Sequence, residues 1–342
     1  MNKKLLFAFL GSMLVGLAVA YYFVNSVYGS NVDLPEDSKE IFITKDMDYE
    51  SILDMLENEN IISSRKSFDF VAGLMDYDEG VKGGKYTINN GWSNRELIGV
   101  LRGGRQDPIT VTFNNARTID DLAGKLAPFF ESDSTEILAT FKDEENLRKH
   151  KVTPETAMTL FIPNSYETYW NTSPADFMAQ MSKESLRFWG KENREQLLDK
   201  QGMTKEEVYT LASIVEKESN YKPERKTVAG VYLNRIKKGI PLQADPTVVF
   251  AMKKWDLRRV LNKHLEFDSP YNTYKNAGLP PGPIAMPSIN SIDAVLNAEN
   301  HDYLYFCARP GYDNGHLFAR SLRQHNQNAA TYHRWLRSEG IR

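Results

Sequence analysis

The sequence predicts an α+β protein whose chain begins with an apolar helix. Three observations lead there. An uninterrupted apolar run follows the first lysines. A pattern of short strand, turn and capped helix then recurs three times. The C-terminal half carries apolar residues at helical spacing and closes on a hairpin. Lys3 and Lys4 precede the run from Leu5 to about Val24, and some 20 apolar residues suffice to span a bilayer as a helix. The next basic residue is Lys39, so the positive-inside rule keeps the short N-terminus cytoplasmic and exports the rest. A cleaved signal peptide is the alternative, because Ala18-Val19-Ala20 fits a small-x-small cleavage site. Tyr21, Tyr22, Phe23 and Val24 lengthen the run and supply an aromatic interface, which favours a single-pass anchor over residues 1–24.

Residues 25–38 are polar, carry Gly29 and Pro35, and read as a linker whose length would set the reach of the exported part. The first strand–helix copy is Ile41-Phe42-Ile43-Thr44 with the helix Ser51 to Leu56 behind Asp48. The second is Tyr86-Thr87-Ile88 with Glu96 to Leu101 behind Ser93, and Ser93 with Glu96 has the form of a capping box. The third is Ile109-Thr110-Val111-Thr112 with Asp121 to Leu126 behind Thr118. The repetition predicts strand–helix units packed in one small α+β layer. Further on, Ser173 caps a helix that starts at Pro174. Val228, Val231, Tyr232 and Ile236 mark the buried face of another, with Gly239 as its stop. Tyr303 to Cys307 and His316 to Ala319 form a hairpin, and Ser321 to Arg337 a closing helix.

A chain of 342 residues has room for two folded units and a tail. A net charge of −3 with no basic stripe argues against nucleic acid as a partner. Cys307 is the only cysteine, so no intrachain disulfide forms, and no Cys/His cluster or Gly-rich phosphate loop calls for a metal or a cofactor.

The informative segment is Leu211 to Asn220. Val208, Leu211, Ala212 and Val215 recur at helical spacing, and Glu218 continues that stripe. Glu216, two residues away, is rotated by roughly 200° and falls toward the polar edge. A carboxyl on an apolar face is desolvated, which raises its pKa and keeps it ready to donate a proton. A helix-end glutamate that reaches water or pairs with a lysine is the ordinary alternative.

Glu218-Ser219, followed by Asn220-Tyr221-Lys222-Pro223, resembles the catalytic Glu-Ser turn of lytic transglycosylases. Leu233-Asn234-Arg235, Leu242 to Val248, Tyr271-Asn272-Thr273-Tyr274 and Gly278 to Ile284 follow in order. Together they resemble the endolytic murein transglycosylase (MltG, YceG-like) family. The resemblance implies a LysM-like α+β module over 39–105 and a mixed α+β catalytic domain over 106–342. LysM modules elsewhere bind N-acetylglucosamine polymers; a simple spacer is the alternative for this one. It also implies a lyase at the cytoplasmic (inner) membrane, its catalytic domain facing the periplasm, with peptidoglycan glycan strands as substrate and peptidoglycan synthases as partners.

Hydrolases generally use two carboxyl groups, whereas a lytic transglycosylase needs one. The resemblance places it at Glu218, which would protonate the departing N-acetylglucosamine oxygen. Glu218 would then take the C6 hydroxyl proton as N-acetylmuramic acid closes to its 1,6-anhydro form. Gln243, Asp245 and Thr247 would line the sugar cleft, with Asp245 also capping the helix that Pro246 begins and stabilising the cationic sugar. Asn272 and Tyr274 offer an amide and a phenol to the sugar, and Leu279 to Ile284 a stiff cleft wall. Phe161-Ile162-Pro163-Asn164-Ser165-Tyr166 resembles an element usually written Pro-Asp-Thr; the negative charge is lost here, while Tyr166 remains a candidate contact. His316 and His325 also occupy family positions. Two rival readings stay open. One is a non-catalytic glycan-binding scaffold that recruits synthases. The other is a two-carboxylate hydrolase in which Glu224 or Asp245 activates water. Separately, Glu216 is the rival to Glu218 for the role of acid.

Overall fold

The computed structural model describes residues 3–78, 80–257, 259–311 and 313–340. It is a mixed α+β structure in two compact units. The first comprises Met1–Val111 with Phe129–Glu131 and Glu167–Thr172, and the second Thr112–Pro128, Ser132–Tyr166 and Ser173–Arg342.

In the first unit, α1 (Lys3–Tyr28) is followed by β1 (Ser38–Ile43), α2 (Tyr49–Asn58), α3 (Arg65–Leu74), β2 (Gly84–Asn89) and α4 (Asn94–Gly103). The strands pair antiparallel with Ile41 opposite Tyr86, and their alternation sends Ile41, Ile43, Tyr86 and Ile88 into one core. Ile52, Leu53 and Leu56 of α2, Phe68 and Val71 of α3, and Leu97, Ile98 and Leu101 of α4 close over that face. Asp48, Ser64 and Ser93 each accept a backbone N–H at a helix start, and the Ser93–Glu96 box is complete.

The third strand–helix copy does not join this layer. β3 (Ile109–Phe113) pairs instead with β4 (Asn164–Thr168). The cause lies at Asp107. Its carboxylate accepts the Thr87 N–H at 2.6 Å, and its own N–H donates to the Lys85 carbonyl at 2.9 Å. The outer edge of β2 is therefore satisfied before β3 begins.

Residues 25–38 are no free spacer. α1 runs to Tyr28, and the Ser26 carbonyl accepts the Asn94 side-chain amide at 2.9 Å. Tyr22 and Phe23 set their rings against Phe70. Val32 and Leu34 are buried in the unit's core, and the N–H groups of Asn31 and Val32 both donate to the Trp92 carbonyl at 3.0 Å. The polar composition hid a period-two alternation that buries every second side chain from Val32 to Leu34. Above this junction α1 is apolar and exposed along its length. Among the described residues it alone is long and apolar enough to cross a membrane, a property that anchors and signal sequences share.

The second unit carries α5 (Ile119–Leu126), α6 (Ser134–Lys142), α7 (Glu144–Lys149), α8 (Pro174–Trp189), α9 (Arg194–Gln201), α10 (Lys205–Glu218), α11 (Arg225–Lys237), α12 (Asp245–Met252), α13 (Asn262–Leu265) and α14 (Ile289–Leu296). The antiparallel hairpin of β5 (Tyr305–Ala308) and β6 (His316–Ala319) follows, then α15 (Leu322–Ser338). α10 is the hub. Eight consecutive residues, Val208 to Val215, are buried, so it has no solvent face between its ends. The predicted one-sided stripe is thus an all-round apolar helix, the signature of a core position.

Leu34→Ala is expected to cost the first unit about 2–3 kcal/mol, as for other buried Leu→Ala changes. Thermal unfolding of the detergent-solubilised chain should move that unit's transition down by several degrees. An unchanged transition would mean that 25–38 is a spacer after all.

Candidate active site

α10 starts at a complete capping box between Thr204 and Glu207 and ends at Glu218. Two residues earlier, Glu216 fastens the helix end. It accepts hydrogen bonds from the Ser288 and Ser291 hydroxyls at 2.5 and 2.6 Å, and its two carboxylate oxygens take both terminal nitrogens of Arg225 at 2.9 and 3.0 Å. Burial alone would push this carboxyl up. The two serines and the Arg225 charge outweigh it and hold the group below the usual carboxylate range. Glu216 is therefore a clamp between α10, α11 and the start of α14, and not the solvent-edge residue its helical phase suggested.

Glu224 is also fully engaged. It accepts the Ser219 hydroxyl at 2.7 Å, the His316 N–H at 3.0 Å and the His316 ring nitrogen Nδ1. Arg225 Nε in turn donates to the Ser219 carbonyl at 3.1 Å. Ser219 and His316 thus belong to a brace that turns the chain from α10 into α11, and Glu224 does not face the cavity that Glu218 lines.

That cavity holds about 330 Å³ and is lined by Glu218, Tyr232, Arg235, Leu242, Gln243, Asp245, Tyr274, Tyr305, Phe306 and His325. Glu218 is half-buried beside it. Desolvation pushes its carboxyl up, the Tyr232 hydroxyl donated to it pulls the other way, and the nearby Asp245 charge pushes up again; the result is about 7. Asp245 instead accepts the Tyr274 hydroxyl at 2.5 Å. Two carboxyl groups therefore share one cavity, Glu218 with its proton held by burial and Asp245 held by a tyrosine hydroxyl.

The loop before α12 explains the remaining expectations. Gln243 has φ +54°, unusual for a residue with a side chain. It is held there because its N–H donates to the Thr273 carbonyl at 3.0 Å and the next N–H, of Ala244, to the Thr273 hydroxyl at 3.0 Å. Its side-chain oxygen accepts from Arg235, whose Nε and Nη1 donate to the Pro241 and Leu304 carbonyls at 2.9 and 2.8 Å. Ala244, not Asp245, is the N-cap of α12; Asp245 is its first helical residue, which leaves the carboxylate free for Tyr274.

Thr247 and Asn272 are buried and do not line the cavity. The Thr247 hydroxyl donates to the Ala244 carbonyl at 2.7 Å and lies 2.9 Å from that of Thr273. The Asn272 amide donates to the Leu265 and Phe267 carbonyls, both at 2.8 Å. Both position the loop. Tyr166 is also a correction: its hydroxyl donates to the Ile162 carbonyl at 2.6 Å and its ring stacks on Phe113, so it packs in the core while Asn164 is exposed. Of the sequence candidates, Glu218, Gln243, Asp245, Tyr274 and His325 converge on the cavity. Tyr232, Tyr305 and Phe306 were read only as core and strand residues; helix phase gave no sign that Tyr232 ends in a hydroxyl against Glu218.

The cavity thus brings together one desolvated carboxyl, a second carboxyl held by a tyrosine, and aromatic side chains. The chain belongs to the YceG-like family, which it matches over residues 41–331. It is 31% identical to the endolytic murein transglycosylase of Bacillus subtilis (strain 168), over 90% of this chain and 89% of that protein. It is 27% identical to the protein of the same name from Streptococcus pneumoniae (strain D39), over 95% of this chain and 65% of that one. A solved yceG-like protein of Listeria monocytogenes superposes with a TM-score of 0.56 at 28% identity, covering 85% of this chain and 98% of the other.

Three outcomes follow. The alkaline limb of the activity profile is expected near pH 7, where Glu218 loses its proton, and Asp245→Asn should move it to lower pH because the charge that raises Glu218 is gone. The folded-state value lies above the ordinary 4.5, so the native state binds more protons than the unfolded chain between about 4.5 and 7. Stability should fall as pH rises through that window, and Glu218→Gln should flatten the fall. Glu216→Gln is expected to cost about 3 kcal/mol, because it strands the buried Arg225 charge. Denaturant unfolding checks this; a loss below 0.5 kcal/mol would remove Glu216 from its clamping role.

Proposed function

We propose that the chain is an endolytic peptidoglycan lytic transglycosylase that cleaves the bond between N-acetylmuramic acid and N-acetylglucosamine inside glycan strands. The observation that carries this reading is the Glu218 carboxyl, raised to about 7 at a cavity wall, where it can both give and take a proton. Glu218 donates its proton to the departing glycosidic oxygen. Positive charge then builds on the muramic ring, and Asp245, fixed by Tyr274, supplies negative charge beside it. The muramic C6 hydroxyl attacks its own anomeric carbon and returns a proton to Glu218, which restores the acid. Tyr232 steadies the carboxylate between the two steps. Tyr305 and Phe306 give the sugar ring an aromatic wall.

Asp245 on the same cavity keeps the two-carboxylate hydrolase as a second reading, with Asp245 activating a water. Within the first reading, α1 anchors the enzyme in the cytoplasmic membrane with both units outside, where peptidoglycan synthases release new strands. The LysM-like first unit contacts the same glycan.

Mass spectrometry of products from purified glycan strands separates the alternatives. Transglycosylation leaves 1,6-anhydro ends, lighter by one water than the reducing ends hydrolysis leaves. Glu218→Gln should lower turnover by about 10²–10⁴-fold, the usual span for a lost general acid. Full cellular activity of that variant would turn the protein into a scaffold.

A further inference from the structure

A second concavity adjoins the Glu218 cavity and shares Asp245 with it. It encloses about 560 Å³ and pairs an apolar floor with a basic rim. Phe250 and Ile284 belong to the floor, and Trp255 stands over it, 38% exposed. The Trp255 ring is held edge-on by Phe250, at 5.9 Å between centroids, and Phe250 is held by Tyr271 at 4.8 Å. The rim carries Arg117, Lys217 and Arg259. None of the three side chains forms an ion pair among the described residues, although the Asp121 carboxylate lies near enough to feel the Arg117 charge. Asp245 is the one acidic residue of the lining, and Tyr274 already holds it. A local surplus of positive charge in a chain of net charge −3 marks this groove for an anion.

Its placement follows from the fold. Lys217 and Glu218 are consecutive on α10, so their side chains diverge by roughly 100°, one into each concavity. Arg117 is fixed from the other side. The Met286 N–H donates to the Ala116 carbonyl at 2.8 Å, and the Arg117 N–H to Asp121 at 2.9 Å. The Arg117 guanidinium lies 5.3 Å from the centre of the Trp255 ring, so the cation and the aromatic platform form one surface.

The geometry points to a subsite for the carboxylate-bearing substituent on the lactyl arm of a muramic residue, next to the sugars held at Glu218. It rests on the glycan-cutting reading above and adds a substrate preference to it. The N-acetylglucosamine units of a strand are neutral, so the anion must come from the muramic arm. The apolar floor and Trp255 suit a short peptide, and the three cations suit its carboxylates. Strands that carry peptides with free carboxylates are therefore the preferred substrate.

The test uses the full chain in detergent and strands of one length in three forms: with peptides bearing free carboxylates, with those carboxylates amidated, and with the peptides removed to leave the lactyl carboxylate. The expected KM is about tenfold lower for the free-carboxylate strands than for the amidated ones, a ratio typical of one or two charge-assisted contacts, with kcat within about threefold. In the triple variant R117Q/K217Q/R259Q the ratio should fall to about one. All three residues line an open groove, and an unchanged melting temperature would establish that the variant is folded. Stripped strands as good as the peptide-bearing ones would overturn the peptide preference and assign the anion to the lactyl carboxylate. A parent ratio within twofold, or a ratio that survives neutralisation, would overturn the proposal. Binding of the same strands to the Glu218→Gln chain by calorimetry reads the groove without turnover. A parent that binds with the expected ratio but cleaves nothing would therefore sink the glycan-cutting reading and leave the groove standing.

Discussion

The second unit depends on one constraint: α10 has no side turned to water, so its C-terminal end can be placed only by groups that fasten it. Glu216 does this. Five hydrogen bonds, two of them within its ion pair with Arg225, tie it to Arg225, Ser288 and Ser291, and Arg225 carries the restraint on to the Ser219 carbonyl. A buried ion pair is weak evidence for stability but strong evidence for position, because either partner alone would be left uncompensated. Glu218 therefore inherits a fixed location from a carboxylate two residues earlier that performs no chemistry. The Ser219–Glu224–His316 brace repeats the device on the other side of the turn.

A second set of restraints shapes the opposite wall. Thr273, Thr247 and Asn272 spend their polar groups on backbone atoms, and the left-handed conformation of Gln243 persists because its own N–H and that of Ala244 both end on Thr273. Strain stored at such a position is affordable only where the surroundings over-determine it. What it secures is the aim of two groups: Gln243 toward Arg235, Asp245 toward Tyr274, and both toward the cavity. The two carboxyl groups sit in different surroundings. Glu218 is desolvated and hydrogen-bonded by Tyr232, while Asp245 lies at the junction of two concavities, the second of which carries three cations.

Much of this was legible in the residues. Caps at Asp48, Ser93, Ser173 and Ser321, the closing hairpin and the position of Glu218 all follow from local rules that the tertiary structure leaves intact. Three things were not legible, each for a physical reason. Helical phase gives a direction relative to one helix axis, but α10 is surrounded, so Glu216 met Arg225 and not water. A motif records which residues recur near a site without saying which point into it; Thr247, Asn272 and Tyr166 hold the frame by hydrogen bonds to carbonyls, which side-chain chemistry alone cannot foretell. Strand pairing is non-local, so the third strand–helix copy looked like its predecessors although Asp107 had already closed the edge it would have used.

The N-terminal junction changes what can be argued about reach. A flexible tether of n residues explores a volume set by its length, so where an enzyme cuts would follow from its linker. Here α1 passes into the core of the first unit without such a segment: Ser26 bonds to Asn94, Val32 and Leu34 are core residues, and Phe70 packs on the last turns of the helix. Lengthening 25–38 would therefore break packing before it extended any tether. With α1 in a bilayer, the first unit is held at the membrane surface by the continuity of one helix. Its height is then set by where the apolar run ends, near Val24, and by the tyrosines that flank it.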